Sequence, residues 1–265
     1  MYRDYTVFLW LLKFGGLLNL YFLVIVRLLE SNGTDSFVVL PAQILFAVSA
    51  YRCFFPVRYE HNVVFHDSIF SSVFVTRLFA TFSEIAYIFL FSHVLRVLDV
   101  NRVQWVTALS WLMVAQVIIS QGFVWTAILT EQFEYYFYEE LGWALIFAAN
   151  TIASAYLYLT VQGLGGRKVL LLLNLLFGIL YLPWQGIHLA SLRADAARNA
   201  RKSTAGSVAI SKRLVDGLQR AVRVKNKRLD KDSWGGVIGL IWMLAYWATL
   251  IPIWTYYIVR VLCSQ

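Results

Sequence analysis

The sequence predicts an all-α, polytopic integral membrane bundle of about seven transmembrane helices, and three observations carry that prediction. Only 14% of the 265 residues are charged while 60% are hydrophobic, against roughly 25% and 45–50% in soluble domains. The apolar residues come in blocks of the ~20 residues that a helix needs to cross a hydrocarbon core of about 30 Å. Aromatic residues make up 17% of the chain. Among them Trp105, Trp111, Trp125, Trp143, Trp234 and Trp254 fall near block ends, the headgroup level that amphipathic rings prefer. Backbone groups in lipid must be satisfied within the segment, so runs of this length read as helices rather than barrel strands.

The first span is expected at about 6–28. It follows Met1 to Tyr5 with no small-residue cleavage site and is too long for a signal-peptide core, so it reads as a span and not a leader. The others follow at about 37–55, 70–94, 103–127, 137–161, 168–191 and 234–262. All but one of the connections are short, which makes sequential helices antiparallel neighbours. Pro183 and Pro252 fall inside the sixth and seventh spans. Each removes a backbone donor and frees the carbonyl four residues earlier, on Ile179 and Ala248. The two cysteines, Cys53 and Cys263, stand far apart and form neither a metal cluster nor a disulfide framework.

The long connection, 193–232, holds twelve Lys and Arg against four Asp, and this difference accounts for the whole net charge of +8. Positive loops stay on the cytoplasmic or matrix side. Seven spans then put the N-terminus and the second, fourth and sixth connections inside, and the C-terminus outside. A bacterial inner membrane, a mitochondrial inner membrane and the endoplasmic reticulum satisfy this rule equally. Asn32, Gly33 and Thr34 form a glycosylation sequon on the expected outer side. Within the basic segment Ile210, Leu214, Leu218 and Val222 recur every four residues, with Lys212, Arg213, Arg220 and Arg223 between them. That period predicts a helix within 206–226 at the membrane surface. Its functional reading is binding to anionic lipid. The plainer reading, which the sequence favours, is a solvated helix that only obeys the charge rule.

Ionisable residues inside spans are costly and are functional candidates for that reason. Placed by helical rise, Lys13, Arg52 and Arg77 lie toward the inner face, as do Glu139, Glu140 and His188, while Glu84 reaches mid-membrane. The outer half offers amides and hydroxyls such as Gln43, Gln104, Ser110 and Asn174. This one-sided chemistry predicts a lipid or ligand pocket at the inner face, built from Arg52, Arg77, Glu84, Glu139, Glu140, Gln185 and His188. Packing alone could also retain three cations balanced by three carboxylates. Arg77 and Glu84 share a helix face about 10 Å apart along the axis, so each is expected to find its partner on another helix: Gln116, Gln121, Asn150, Gln185 or His188.

Several signatures fail. The seventh span has no lysine for a retinal Schiff base. His93 and His188 lie near opposite faces, unsuited to a bis-histidine haem. His61, His66 and Asp67 do not make a recognisable zinc set. Gly163, Gly165 and Gly166 form a turn rather than a phosphate loop, and no nucleophile elbow is present. No catalytic residue, metal or cofactor is assigned. The leading expectation is a non-catalytic accessory or structural subunit of a larger membrane complex. Its expected partners are anionic membrane lipids and other membrane subunits, and no nucleic acid. A membrane-embedded enzyme or binding protein acting on a lipid headgroup comes second, with His188 or Glu139 as general base, and a small-solute or proton transporter third.

Overall fold

A computed structural model describes residues 5–30, 35–161, 165–202 and 210–263. The predicted fold class is the observed one. The helices are α1 (Thr6–Glu30), α2 (Ser36–Phe54), α3 (Val73–Leu98), α4 (Gln104–Thr130), α5 (Glu134–Thr160), α6 (Gly166–Lys202), α7 (Ile210–Arg223), α8 (Gly236–Met243) and α9 (Leu250–Cys263). Seven segments are long and apolar enough to cross a membrane: α1 to α6 and the interrupted run Gly236–Cys263. The sequon at 32–34 and the stretch 203–209 lie outside the described residues.

Some boundaries differ from the sequence expectation. The third span begins at Val73 because Ile69–Ser71 turns as a short 3-10 helix. The sixth does not stop at 191. α6 runs to Lys202, about 55 Å at 1.5 Å per residue, so it carries the first basic residues well beyond a 30 Å core. Pro183 sits inside it without ending it.

The chain forms two compact units, one of Met1–Tyr87 with Leu218–Gln265, the other of Ile88–Gly217. In the first, α1 packs on α2, and both pack on the last span. Gly15 makes the approach possible, because a Cβ there would collide with the Cβ of Ala248. Close backbone contact at small residues is how membrane helices gain packing energy without a hydrophobic driving force. Its core gathers Leu9, Leu12, Val48, Cys53, Phe65, Ala80, Trp234 and Trp247.

Two connections of this unit are joined by a small sheet that hydropathy gave no reason to expect. Strand β1 (Val57–Arg58) pairs antiparallel with β2 (Val63–Val64), which pairs in parallel with β3 (Asn226–Lys227). The hairpin between β1 and β2 turns through His61 and Asn62, both left-handed with φ of 58° and 51°. The Tyr5 amide donates to the Leu229 carbonyl at 2.8 Å, and Arg58 donates to the carbonyls of Asp232 and Ser233. The start of α1, the α2–α3 connection and the α7–α8 connection therefore share one end of the unit.

In the second unit α4, α5 and α6 pack in sequence order. Gly142 meets Ser120 and Gln116, and Gly178 meets Thr151, so both helix pairs close at a glycine.

Candidate functional site

The pocket residues singled out by the sequence fall into two groups, each within one unit. In the first unit, Arg77 and Glu84 correct the sequence reading. They form a direct two-pronged pair, with Nη1 donating to Oε1 at 3.0 Å and Nη2 to Oε2 at 2.8 Å. Both are buried, Arg77 being 2% exposed. The axial separation did not forbid this. A helical Cα–Cβ bond tilts toward the N-terminus, so the Glu84 carboxylate leans back toward Arg77, and the long arginine side chain spans the rest. The bidentate geometry is the strong form of this interaction.

Arg52 lies two residues before the end of α2 and is 8% exposed. Its Nη1 donates to the Tyr59 hydroxyl at 3.1 Å and its Nη2 to the Val57 carbonyl at 3.4 Å. Its guanidinium carbon stands 5.2 Å from the Tyr59 ring centre and 4.7 Å from that of Trp247. Buried Nε has no hydrogen-bond partner among the described residues. None of these contacts is a carboxylate. Arg77 approaches the same Tyr59 ring at 5.7 Å, so one aromatic ring carries two guanidiniums within cation–π range. Lys13 donates to His66 Nε2 at 3.0 Å and stands 3.8 Å from the Trp10 ring centre. Of the intramembrane charges that the sequence set in balance, this unit holds Lys13, Arg52 and Arg77 with Glu84. Glu139 and Glu140 belong to the other unit.

Trp247 is positioned by an interruption of the last span. Residues Leu244–Ala248 form a π turn, Thr249 leaves helical geometry with φ −134° and ψ −77°, and α9 follows. Pro252 explains the place, since it has no N–H for the Ala248 carbonyl and its ring crowds that group. Asn19 Nδ2 braces the break, donating to the Trp247 carbonyl at 2.9 Å and to Gly15 at 2.8 Å.

At the sheet end of this unit a cavity of about 360 Å³ is lined by Arg58, His61, Val63, Asn226, Arg228, Asp232 and Ser233. His66 lies in the same connection. Burial first, then the charges of Lys13 and Lys227, holds its imidazole below the ordinary value.

In the second unit, Gln185 Nε2 donates to the Glu140 backbone carbonyl at 2.9 Å and to its carboxylate Oε2 at 2.7 Å. The other carboxylate oxygen is 3.9 Å from His188 Nε2, and His188 stacks on Trp184. Glu139 is buried one position earlier. Gln185 and Glu140, both expected in the pocket, are hydrogen-bonded to each other. Gln116 donates to Ser120 at 3.4 Å.

Sequence reasoning missed Tyr59, Trp247, Asn19 and the Lys13–His66 contact. Asn19 had a visible signal, a lone amide in the middle of the first span. Tyr59 and Trp247 had none, being two of 25 Tyr and Trp residues in an aromatic-rich chain.

Comparisons with family models, with curated proteins and with solved structures found no match. Fold and composition define the class directly: an all-α protein with seven helices, among the described residues, fit to cross a membrane.

Proposed function

We propose that this multi-span protein is a non-catalytic subunit of a membrane assembly and that it holds an anionic lipid headgroup at Arg52. One observation carries the reading: a buried guanidinium in a spanning helix has no carboxylate among its contacts with the described residues. Burying an ion without a counter-charge is costly, and intramembrane ions persist where they serve a site. A lipid phosphate is the anion that occurs at this depth, because Arg52 lies about 3 Å of helical rise from the end of α2. It can supply the missing charge and accept from Nε. The aromatic walls, Tyr59 and Trp247, exclude water and strengthen that contact. The 3.4 Å contact to the Val57 carbonyl is long enough to give way to a phosphate oxygen.

A second reading, an enzyme acting on a headgroup, draws on the second unit, where Glu140 stands beside His188. Glu140 is also committed to the Gln185 amide, which suits a structural network better than a mobile base. The lipid-holding reading comes first.

The test is phospholipid analysis of the protein purified in mild detergent, with and without Arg52→Gln. Losing a charge-assisted bond of about 1.5–3 kcal/mol should weaken anionic lipid retention roughly ten- to hundred-fold. Unchanged lipid content in the variant would sink the site. A native gel of the same sample reads the subunit claim separately: migration in a stable assembly supports it, and a lone 30.5 kDa particle contradicts it.

A further inference from the structure

α7 presents three faces, and two of them are set by the fold. Gly217 and Ala221, one helical turn apart, are both buried. A Cβ at 217 would collide with the carbonyl oxygen of Leu129. Leu129 is the penultimate residue of α4, a membrane-spanning helix. The glycine itself therefore lies against the very end of a span. At 3.6 residues per turn, the strip beside this seam carries Leu214, Leu218, Val222 and Val215. Those four are 38%, 43%, 40% and 56% exposed. The remaining face carries Lys212, Arg213, Arg220 and Arg223, with Gln219 and Asp216.

We propose that α7 is an interfacial helix that binds an anionic leaflet, its apolar strip entering the acyl boundary and its basic face meeting lipid phosphates. A solvated helix would leave four large aliphatic side chains in water. A helix divided in this way into an apolar strip and a basic face is the kind that lies at the acyl boundary. The net charge of the polar face, four cations against one Asp, selects anionic lipid over neutral lipid. The inference is independent of Arg52.

The test uses the full chain, with Cys53→Ala and Cys263→Ser, reconstituted in nanodiscs of phosphatidylcholine alone or with about one-third phosphatidylglycerol. Spin labels are placed singly at Leu218→Cys and Gln219→Cys, neighbours on opposite faces. In anionic discs, label 218 should favour oxygen over a nickel chelate several-fold, and label 219 the reverse. The combined K212Q, R213Q, R220Q and R223Q variant, checked for an unchanged elution profile, should bring label 218 toward the aqueous value. Label 218 more accessible to nickel than to oxygen in anionic discs would overturn the proposal. So would a neutralised variant with an unchanged ratio, or a label shielded from both reagents, which would indicate a protein contact.

Discussion

A guanidinium inside a membrane protein is neutralised by its own chain or by something it binds, and substitution separates the two cases. Arg77 belongs to the first, through its bidentate bond with Glu84. Arg77→Met leaves a buried carboxylate behind and should cost roughly 3–5 kcal/mol, read as a lower melting temperature of the purified protein. Arg77→Met combined with Glu84→Leu should recover most of that loss. The proposed function puts Arg52 in the second. Arg52→Met in delipidated protein should melt no lower than the parent, because it removes a charge held at a stability cost. A large drop would show that Tyr59 and Trp247 alone make Arg52 structural. His66 gives a pH test. Its folded-state value is lowered, so its contribution is complete above the ordinary imidazole value of 6.5 and is lost as pH falls below it. Charging it would set it against Lys13 and Lys227. The fall in melting temperature from about pH 7.5 to about pH 5.5 should therefore be smaller in His66→Gln than in the parent. Equal falls would assign the pH response elsewhere. That Arg52, Arg77 and Glu84 would be buried charges was legible from their place inside apolar runs. Which of them paired was not, because axial spacing ignores the reach and tilt of side chains.

At the scale of elements, the last span shows how backbone chemistry places a side chain. Pro252 interrupts the hydrogen-bond ladder, the π turn takes up the difference, and Trp247 arrives against Arg52. Asn19→Leu removes the donor that braces the Trp247 carbonyl. Leaving that carbonyl unsatisfied should cost about 1–3 kcal/mol. An unchanged melting temperature would show that the break needs no brace. The spans were legible because each apolar run is a strong and continuous signal. Pro252 marked the carbonyl that would be freed, though not the π turn that follows from it. The sheet of β1, β2 and β3 could not be read, since two-residue strands carry no periodicity and their pairing joins positions such as Val63 and Asn226. α7 stood out by its four-residue repeat. That Gly217 lies against Leu129 had no signal in the sequence.

For the whole molecule, both proposed lipid sites require one arrangement: seven crossings with the basic segment on the inner side, facing an anionic leaflet. The contacts of Tyr5 with Leu229 and of β2 with β3 already tie three segments to one end of the first unit. An even number of spans must separate them, as seven crossings require. Substituted-cysteine labelling in sealed, oriented vesicles measures the arrangement directly, with both native cysteines replaced. His61→Cys and Gln219→Cys should label only from the inner side, and Asp35→Cys and Asn101→Cys only from the outer side. Labelling of Asn101→Cys and Gln219→Cys from the same side would contradict the seven-span account and remove the common face that both proposed lipid contacts require.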